Sequence, residues 1–298
     1  MKKAILQTLV YADIFDYPLT AREIYKFLIT PKPLRFSVLK KKLKEIARRD
    51  ELIKSKGEYF FLKEREETVR LRQKRKFWSQ RKIKIAKKVS RWLRLIPWIK
   101  MVGISGALAM ENADKNDDID LLVVTAKKRL WLTRVLTVFL TELLGRRRRP
   151  KDKQVTNKIC LNMFLAENCL TVPKNEQDLF SAHEVVQFKL LWERDNCYQK
   201  FLRANLWVKN YLANSLDIKL DIKKLKDEDI KGEKKNNFLI SQFLNFLELI
   251  AYKIQTAYMS SKRTREVVGP QRARFHPQDC RERILEKYQE KLRKIFIV

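Results

Sequence analysis

Between Met101 and Val124 the chain reads MVGISGALAMENADKNDDIDLLVV. An apolar run ends in a turn of small residues, and an acidic cluster then leads straight into a second apolar run. The pattern predicts two buried strands, with Asn116, Asp117, Asp118 and Asp120 crowded at the mouth of the second. Carboxylates held this close repel one another and resist burial, so the arrangement is destabilising unless something cationic sits there. Asp118 and Asp120 are two apart, which puts their side chains on one face of the strand and Ile119 on the other. Two carboxylates side by side at a strand start suit one or two Mg2+ (or Mn2+) ions, spaced about 3.5–4 Å apart where both are present. The small-residue turn upstream lets backbone approach a phosphate closely.

The rest of the composition frames this site. Over 298 residues, 66 Lys and Arg face 35 Asp and Glu, a formal net charge of +31. Such an excess points to a polyanionic partner, nucleic acid (DNA or RNA) before a membrane surface. Cys160, Cys169, Cys197 and Cys280 include no CxxC pair, and the histidines are His183 and His276. Zinc is therefore not expected, and each cysteine reads as a small buried hydrophobe in a reducing cytoplasm. The N-terminus lacks the pattern of a signal peptide. The most apolar stretch, 238–259, carries Gln242, Asn245, Glu248 and Lys253 and reads as a buried helix, not a membrane span.

Periodicity divides the chain into four regions, 1–63, 64–98, 99–180 and 181–298. The first shows Ile5, Leu6, Leu9, Val10 and Ile14 at helical spacing, then Thr20 and Glu23 as a capping box for a second helix. A third helix buries Leu39, Leu43 and Ile46 and shows lysines on its other face. Two apolar runs around Gly57 predict a hairpin. The second region is a basic helical linker in which Phe77, Trp78, Val89 and Trp92 are expected to pack while its Lys and Arg face a polyanion. The third is a small α/β unit with strands at IKMVGI, DIDLLVVT and KICLNMFLA, a helix stopped by Gly145, and a basic loop at Arg146 to Arg149. That loop is either solvated or a phosphate contact. The fourth reads as almost entirely helical, with a Lys, Asp and Glu-rich loop between Leu216 and Asn237. His183 and Glu184 fall on one of its helices without an assigned role, and His276 precedes another.

Two resemblances follow from these residues. Helix, helix, basic helix and hairpin in residues 1–63 resemble a winged helix, whose third helix enters the DNA major groove. Small-residue turn, short helix and Asp-x-Asp on an apolar strand, over roughly residues 99 to 166, resemble the nucleotidyltransferase superfamily that includes DNA polymerase β. The resemblance implies an α+β fold: a small mixed-sheet core flanked by the winged helix and a C-terminal helical domain. It implies transfer of a nucleoside monophosphate from an NTP to a hydroxyl, with pyrophosphate release. Asp118 and Asp120 then become the catalytic metal ligands, and Ser105, Gly106 and Ala107 the phosphate cradle.

Three positions depart from the family pattern. Ala107 stands at its Ser position, with the Ser105 hydroxyl just upstream, and Glu111 stands where many members have a second Gly. Asn162 stands where a third carboxylate is expected; its amide oxygen can ligate a metal but cannot take a proton. Either no base is needed, or Asp117 or Glu111 contributes, or the chain is a nucleotide-sensing, nucleic-acid-binding regulator without turnover.

Overall fold

A computed structural model describes residues 1–150, 152–216, 238–260, 267–275 and 280–296. The expected loop after Leu216 and the His276 position lie outside the described residues. The chain opens with α1 (Lys2–Asp13), the two-residue strand β1 (Leu19–Thr20), α2 (Ala21–Lys26), α3 (Phe36–Arg49), β2 (Ile53–Lys56) and β3 (Tyr59–Leu62). The strands form a small antiparallel sheet in the order β1-β3-β2. The capping box forms: the Thr20 hydroxyl accepts from the Glu23 N–H, and the Glu23 carboxylate accepts from the Thr20 N–H. Leu39, Leu43 and Ile46 are buried, and Gly57 turns the hairpin at a φ of 61°.

A single helix, α4 (Glu67–Leu93), crosses to the larger sheet. Its strands are β4 (Ile99–Ile104), β5 (Ile119–Thr125), β6 (Ile159–Ala166), β7 (Lys189–Glu193), β8 (Val267–Val268) and β9 (Arg272–Arg274). Their order is β7-β4-β5-β6-β9-β8, in which β5 and β6 run parallel and every other pair antiparallel. The helices are α5 (Gly106–Ala109), α6 (Leu130–Leu143), α7 (Leu179–Gln187), α8 (Cys197–Ala204), α9 (Phe238–Ser260) and α10 (Cys280–Phe296). The fold is mixed α+β.

Period-two burial along β5 splits the core. Leu122 and Val124 join Met101, Leu165, α7, α10 and the N-terminal helices in one apolar cluster. Ile119, Leu121 and Val123 face the other way, onto α4, α6 and Ala251 of α9. Glu248 of α9 accepts the backbone N–H groups of Trp131 and Leu132 at 2.8 and 2.9 Å, so a carboxylate from another helix completes the first turn of α6.

Three expectations need correction. Region 181–298 is not almost entirely helical, because it supplies β7, β8 and β9, which extend the sheet on both sides. The LLW run at 190–192 is too short for periodicity to separate strand from helix, and what decides it is pairing with β4. Helix α9 is buried on one face only, since Leu239, Phe243, Phe246 and Tyr258 are exposed. On α4, Val89 packs but Phe77 and Trp92 are 51% and 52% exposed, and the Arg81 guanidinium lies over the Phe77 ring at 4.4 Å. No helix among the described residues is long and apolar enough to cross a membrane.

Candidate metal and ligand site

The acidic turn is held in place before the strand begins. One face of α4 presents Arg75, Ser79 and Lys82 to it. Arg75 pairs with the Asp114 carboxylate at 3.1 Å, and the Ser79 hydroxyl accepts the Ala113 N–H at 3.0 Å. Lys82, only 1% exposed, donates to the carbonyls of Asp117 (2.6 Å) and Lys115 (3.0 Å) and to the Asn157 amide oxygen (3.1 Å). Burial lowers the Lys82 pKa, opposed by the charges of Asp117, Asp118 and Asp114. Asp117 accepts the Asp114 N–H at 2.7 Å, which closes the turn. Glu111 pairs with Lys189 at 2.8 Å. The two carboxylates weighed as substitutes for a missing acid are thus engaged in holding the loop and the neighbouring strand.

Asp118, just before β5, and Asp120, on it, bring their carboxylates close together. Asp120 stands opposite Cys160 across the parallel ladder. The register then shifts, because β6 spends one more residue than β5 before Leu122 meets Met163. Donor atoms of Asp118, Asp120 and Cys160 all lie within 4.8 Å of one another. Arg148, from the basic loop, donates to Asp118 at 2.5 Å and to the Cys160 sulfur at 3.8 Å. The cation that the sequence pattern demands is therefore present within the chain as a guanidinium. Burial pushes the Cys160 thiol well up from its usual range, and the charges of Asp120 and Asp118 add to this. It stays a neutral thiol, a poor ligand for a hard cation.

The turn before α5 closes against the same carboxylate. Gly106 has a φ of 64°, and a Cβ there would lie 3.2 Å from the Asp120 Oδ2. Both the backbone conformation and the space favour glycine. The Ser105 N–H donates to the Asp120 carbonyl at 3.1 Å.

Beyond this turn opens a cavity of about 410 Å3, bounded by β5, β6, α7, α10 and the N-terminal helices. Ser105, Gly106, Ala107, Asp120 and Asn162 line it together; Asp118 does not. Glu184 of α7 lines it too, its carboxyl pushed up to about 7 by burial and then by the charge of Asp120. His183 also lines it, pushed down to about 3 by burial and stacked on Tyr11 at 4.1 Å, so the ring is neutral.

The structure thus brings Ser105, Gly106, Ala107, Asp120 and Asn162 together at the cavity and sets Asp118 beside Asp120 but outside the cavity lining, and it adds Cys160, Arg148, Lys82 and Glu184. A signal for Lys82 was present: Arg72, Arg75, Ser79 and Lys82 recur at spacings of three and four, one face of a helix. No sequence signal singles out Cys160, whose place depends on the register of β6. No protein-family model matches the chain, and no curated protein does.

The donor set fits a divalent cation in part. Asp118 and Asp120 supply hard oxygen donors, and the buried amide oxygen of Asn162, which has no hydrogen-bond partner among the described residues, lines the cavity together with Asp120. Cys160 is not of that kind, and Arg148 would have to release Asp118.

Proposed function

We propose that the chain is a metal-dependent nucleotidyltransferase of polymerase β type, transferring a nucleoside monophosphate from an NTP to a hydroxyl acceptor with release of pyrophosphate. The observation that carries this reading is the paired carboxylates at the start of β5, with the Gly106 turn closed against Asp120. Asp118 and Asp120 would hold Mg2+ or Mn2+, and a cation there offsets the charge of the NTP phosphates. The Ser105–Ala107 backbone would hold the phosphates, with the Ser105 hydroxyl, which has no partner among the described residues, in place of one at Ala107. Asn162 would add a neutral oxygen where a carboxylate is usual.

In this reading residues 1–63 act as a winged-helix-like module, 64–98 as the linking helix, 99–180 as the nucleotidyltransferase-like core and 181–298 as its C-terminal partner. The partners are an NTP and, on the strongly basic surface, DNA or RNA. The setting is cytoplasmic, with no membrane. A regulator that senses nucleotide without turnover is the second reading, favoured by the Arg148–Asp118 ion pair and by Asn162.

The test is incubation with α-labelled NTPs, Mg2+ or Mn2+ and a panel of hydroxyl acceptors, beside the Asp118→Ala/Asp120→Ala variant. Label transferred by the native chain alone supports the enzyme. Equal transfer by the variant removes the site assignment. Metal-dependent NTP binding without transfer, lost in the variant, favours the regulator.

A further inference from the structure

The cavity beside Asp120 has walls that do not suit a polyanion. Its polar lining includes Asp120, Glu184 and Glu176, all carboxyl groups. Its two arginines are tied to the protein: Arg274 pairs with Glu176 at 3.2 Å, and Arg272 donates through Nη2 to the Thr171 carbonyl, though its Nε finds no partner among the described residues. The remaining wall is dominated by apolar side chains from four different parts of the chain, among them Phe15, Phe27, Leu122, Leu165 and Phe180. At about 410 Å3 the space falls in the usual range for small-molecule sites, roughly 300–1,000 Å3.

Within this wall two buried side chains hold polar atoms that no group among the described residues satisfies. Asn162, 7% exposed, leaves Oδ1 without a partner, and His183, 4% exposed, leaves Nε2 without one. The Gln187 amide nitrogen meets His183 Nδ1 at 3.3 Å and donates to it, which puts the ring proton on Nε2. Beside the Ser105 hydroxyl and Arg272 Nε, the cavity therefore presents an unused acceptor, Asn162 Oδ1, and an unused donor, His183 Nε2–H. Leaving such groups unpaired in an apolar wall is destabilising, and a ligand hydroxyl, which can both donate and accept, has the chemistry to pair with either.

We propose that this cavity is the acceptor site of the transfer reaction, and that the acceptor is a small uncharged molecule with an apolar body and a hydroxyl group, not a nucleic-acid end. The identification as an acceptor site rests on the nucleotidyltransferase reading; the ligand chemistry rests on the cavity alone. The acceptor hydroxyl oxygen attacks the α-phosphorus of the NTP, the new P–O bond forms, and the bond to the pyrophosphate oxygen breaks. Pyrophosphate leaves with that electron pair, and the hydroxyl proton passes to solvent. The basic outer surface remains available to nucleic acid, apart from the reacting group.

The first arm of the test needs neither metal nor NTP. The full chain is titrated with 1-naphthol, naphthalene and naphthalene-1-sulfonate, followed by probe fluorescence. One saturable site is expected for 1-naphthol, about tenfold or more tighter than for the sulfonate, since burying that charge is unfavourable. In His183→Phe, which keeps a ring against Tyr11, the advantage of 1-naphthol over naphthalene should shrink by roughly three- to tenfold, the value of one hydrogen bond. In Ala12→Phe, which fills part of the cavity, both neutral probes should weaken. Should that variant fail to fold, the His183→Phe comparison still decides. Equal binding of naphthol and sulfonate, or an advantage of naphthol unchanged in folded His183→Phe, overturns the ligand assignment whatever the protein does with NTP.

The second arm supplies α-labelled NTP and Mg2+ with a panel of apolar alcohols and oligonucleotides. Label on an alcohol supports the acceptor assignment, and label on oligonucleotides alone overturns it. No label on any acceptor, with naphthol binding intact, overturns the transfer reading and leaves a ligand site of the stated chemistry.

Discussion

At the scale of single residues, the site is organised by two cations, Arg148 on the Asp118 carboxylate and Lys82 beneath the acidic turn. Lys82 is almost fully buried and satisfies three oxygen acceptors, two of them carbonyls of the acidic turn. Lys82→Met keeps the length of the apolar stem but leaves those oxygens unpaired in a buried place. Loss of about 2–4 kcal/mol of stability is expected, read as a lower denaturant midpoint at unchanged slope. Glu184 carries the opposite kind of perturbation. Its carboxyl is raised from 4.5 to about 7, so the unfolded chain ionises first as pH rises between those values. The folded state then binds the extra proton, and stability falls across that window by up to about 3 kcal/mol. Below pH 4.5 the group contributes nothing, because both states hold the proton. In metal-free protein, Glu184→Gln should abolish this fall and leave stability at low pH unchanged. A pH profile of unfolding identical to that of the native chain would place the Glu184 carboxyl in ordinary solvent.

At the scale of elements, much was legible where a local rule decides the outcome. Thr20 and Glu23 form the capping box because both partners lie within one helical turn. Strands β4, β5 and β6 appear where their apolar runs stand. What was not legible depends on partners distant in sequence. The charges on α4 look alike in a one-dimensional reading, yet Arg72, Arg75 and Lys82 turn inward because they meet Glu23, Asp114 and the Asp117 carbonyl. Cys160 faces Asp120 only because of where β6 pairs. Strand β7 exists because Gly103 leaves room for the chain beside it: a Cβ at Gly103 would stand 2.1 Å from Phe188 Cζ and 2.8 Å from the Lys189 carbonyl oxygen. Gly103→Ala should therefore disturb the pairing of β4 with β7 and lower stability by roughly 2–3 kcal/mol, with partial recovery in Gly103→Ala/Phe188→Leu. Full stability in the single variant would mean that this edge is loosely held.

At the scale of the whole molecule, the N-terminal helices and the larger sheet are joined through one apolar cluster. Polar ties reinforce the junction: Arg72 binds the Glu23 carboxylate through two nitrogens at 2.9 and 2.7 Å, and the Tyr17 hydroxyl donates to the Met110 carbonyl at 2.8 Å. Residues of α1 thereby form part of the cavity that holds Asp120. The formal charge of +31 bears on the surface and its long-range field. It is silent on the apolar interior, which only the packing of distant segments reveals. The central claim remains that Asp118 and Asp120 hold a divalent cation in exchange for Arg148. Its most direct test is titration of the full chain with Mn2+, followed by electron paramagnetic resonance, for the native protein, Asp118→Asn/Asp120→Asn and Arg148→Ala. A saturable site that tightens with NTP, is lost in the aspartate variant and strengthens in Arg148→Ala is the predicted result. Mn2+ binding that is the same in the native chain and the aspartate variant would contradict it.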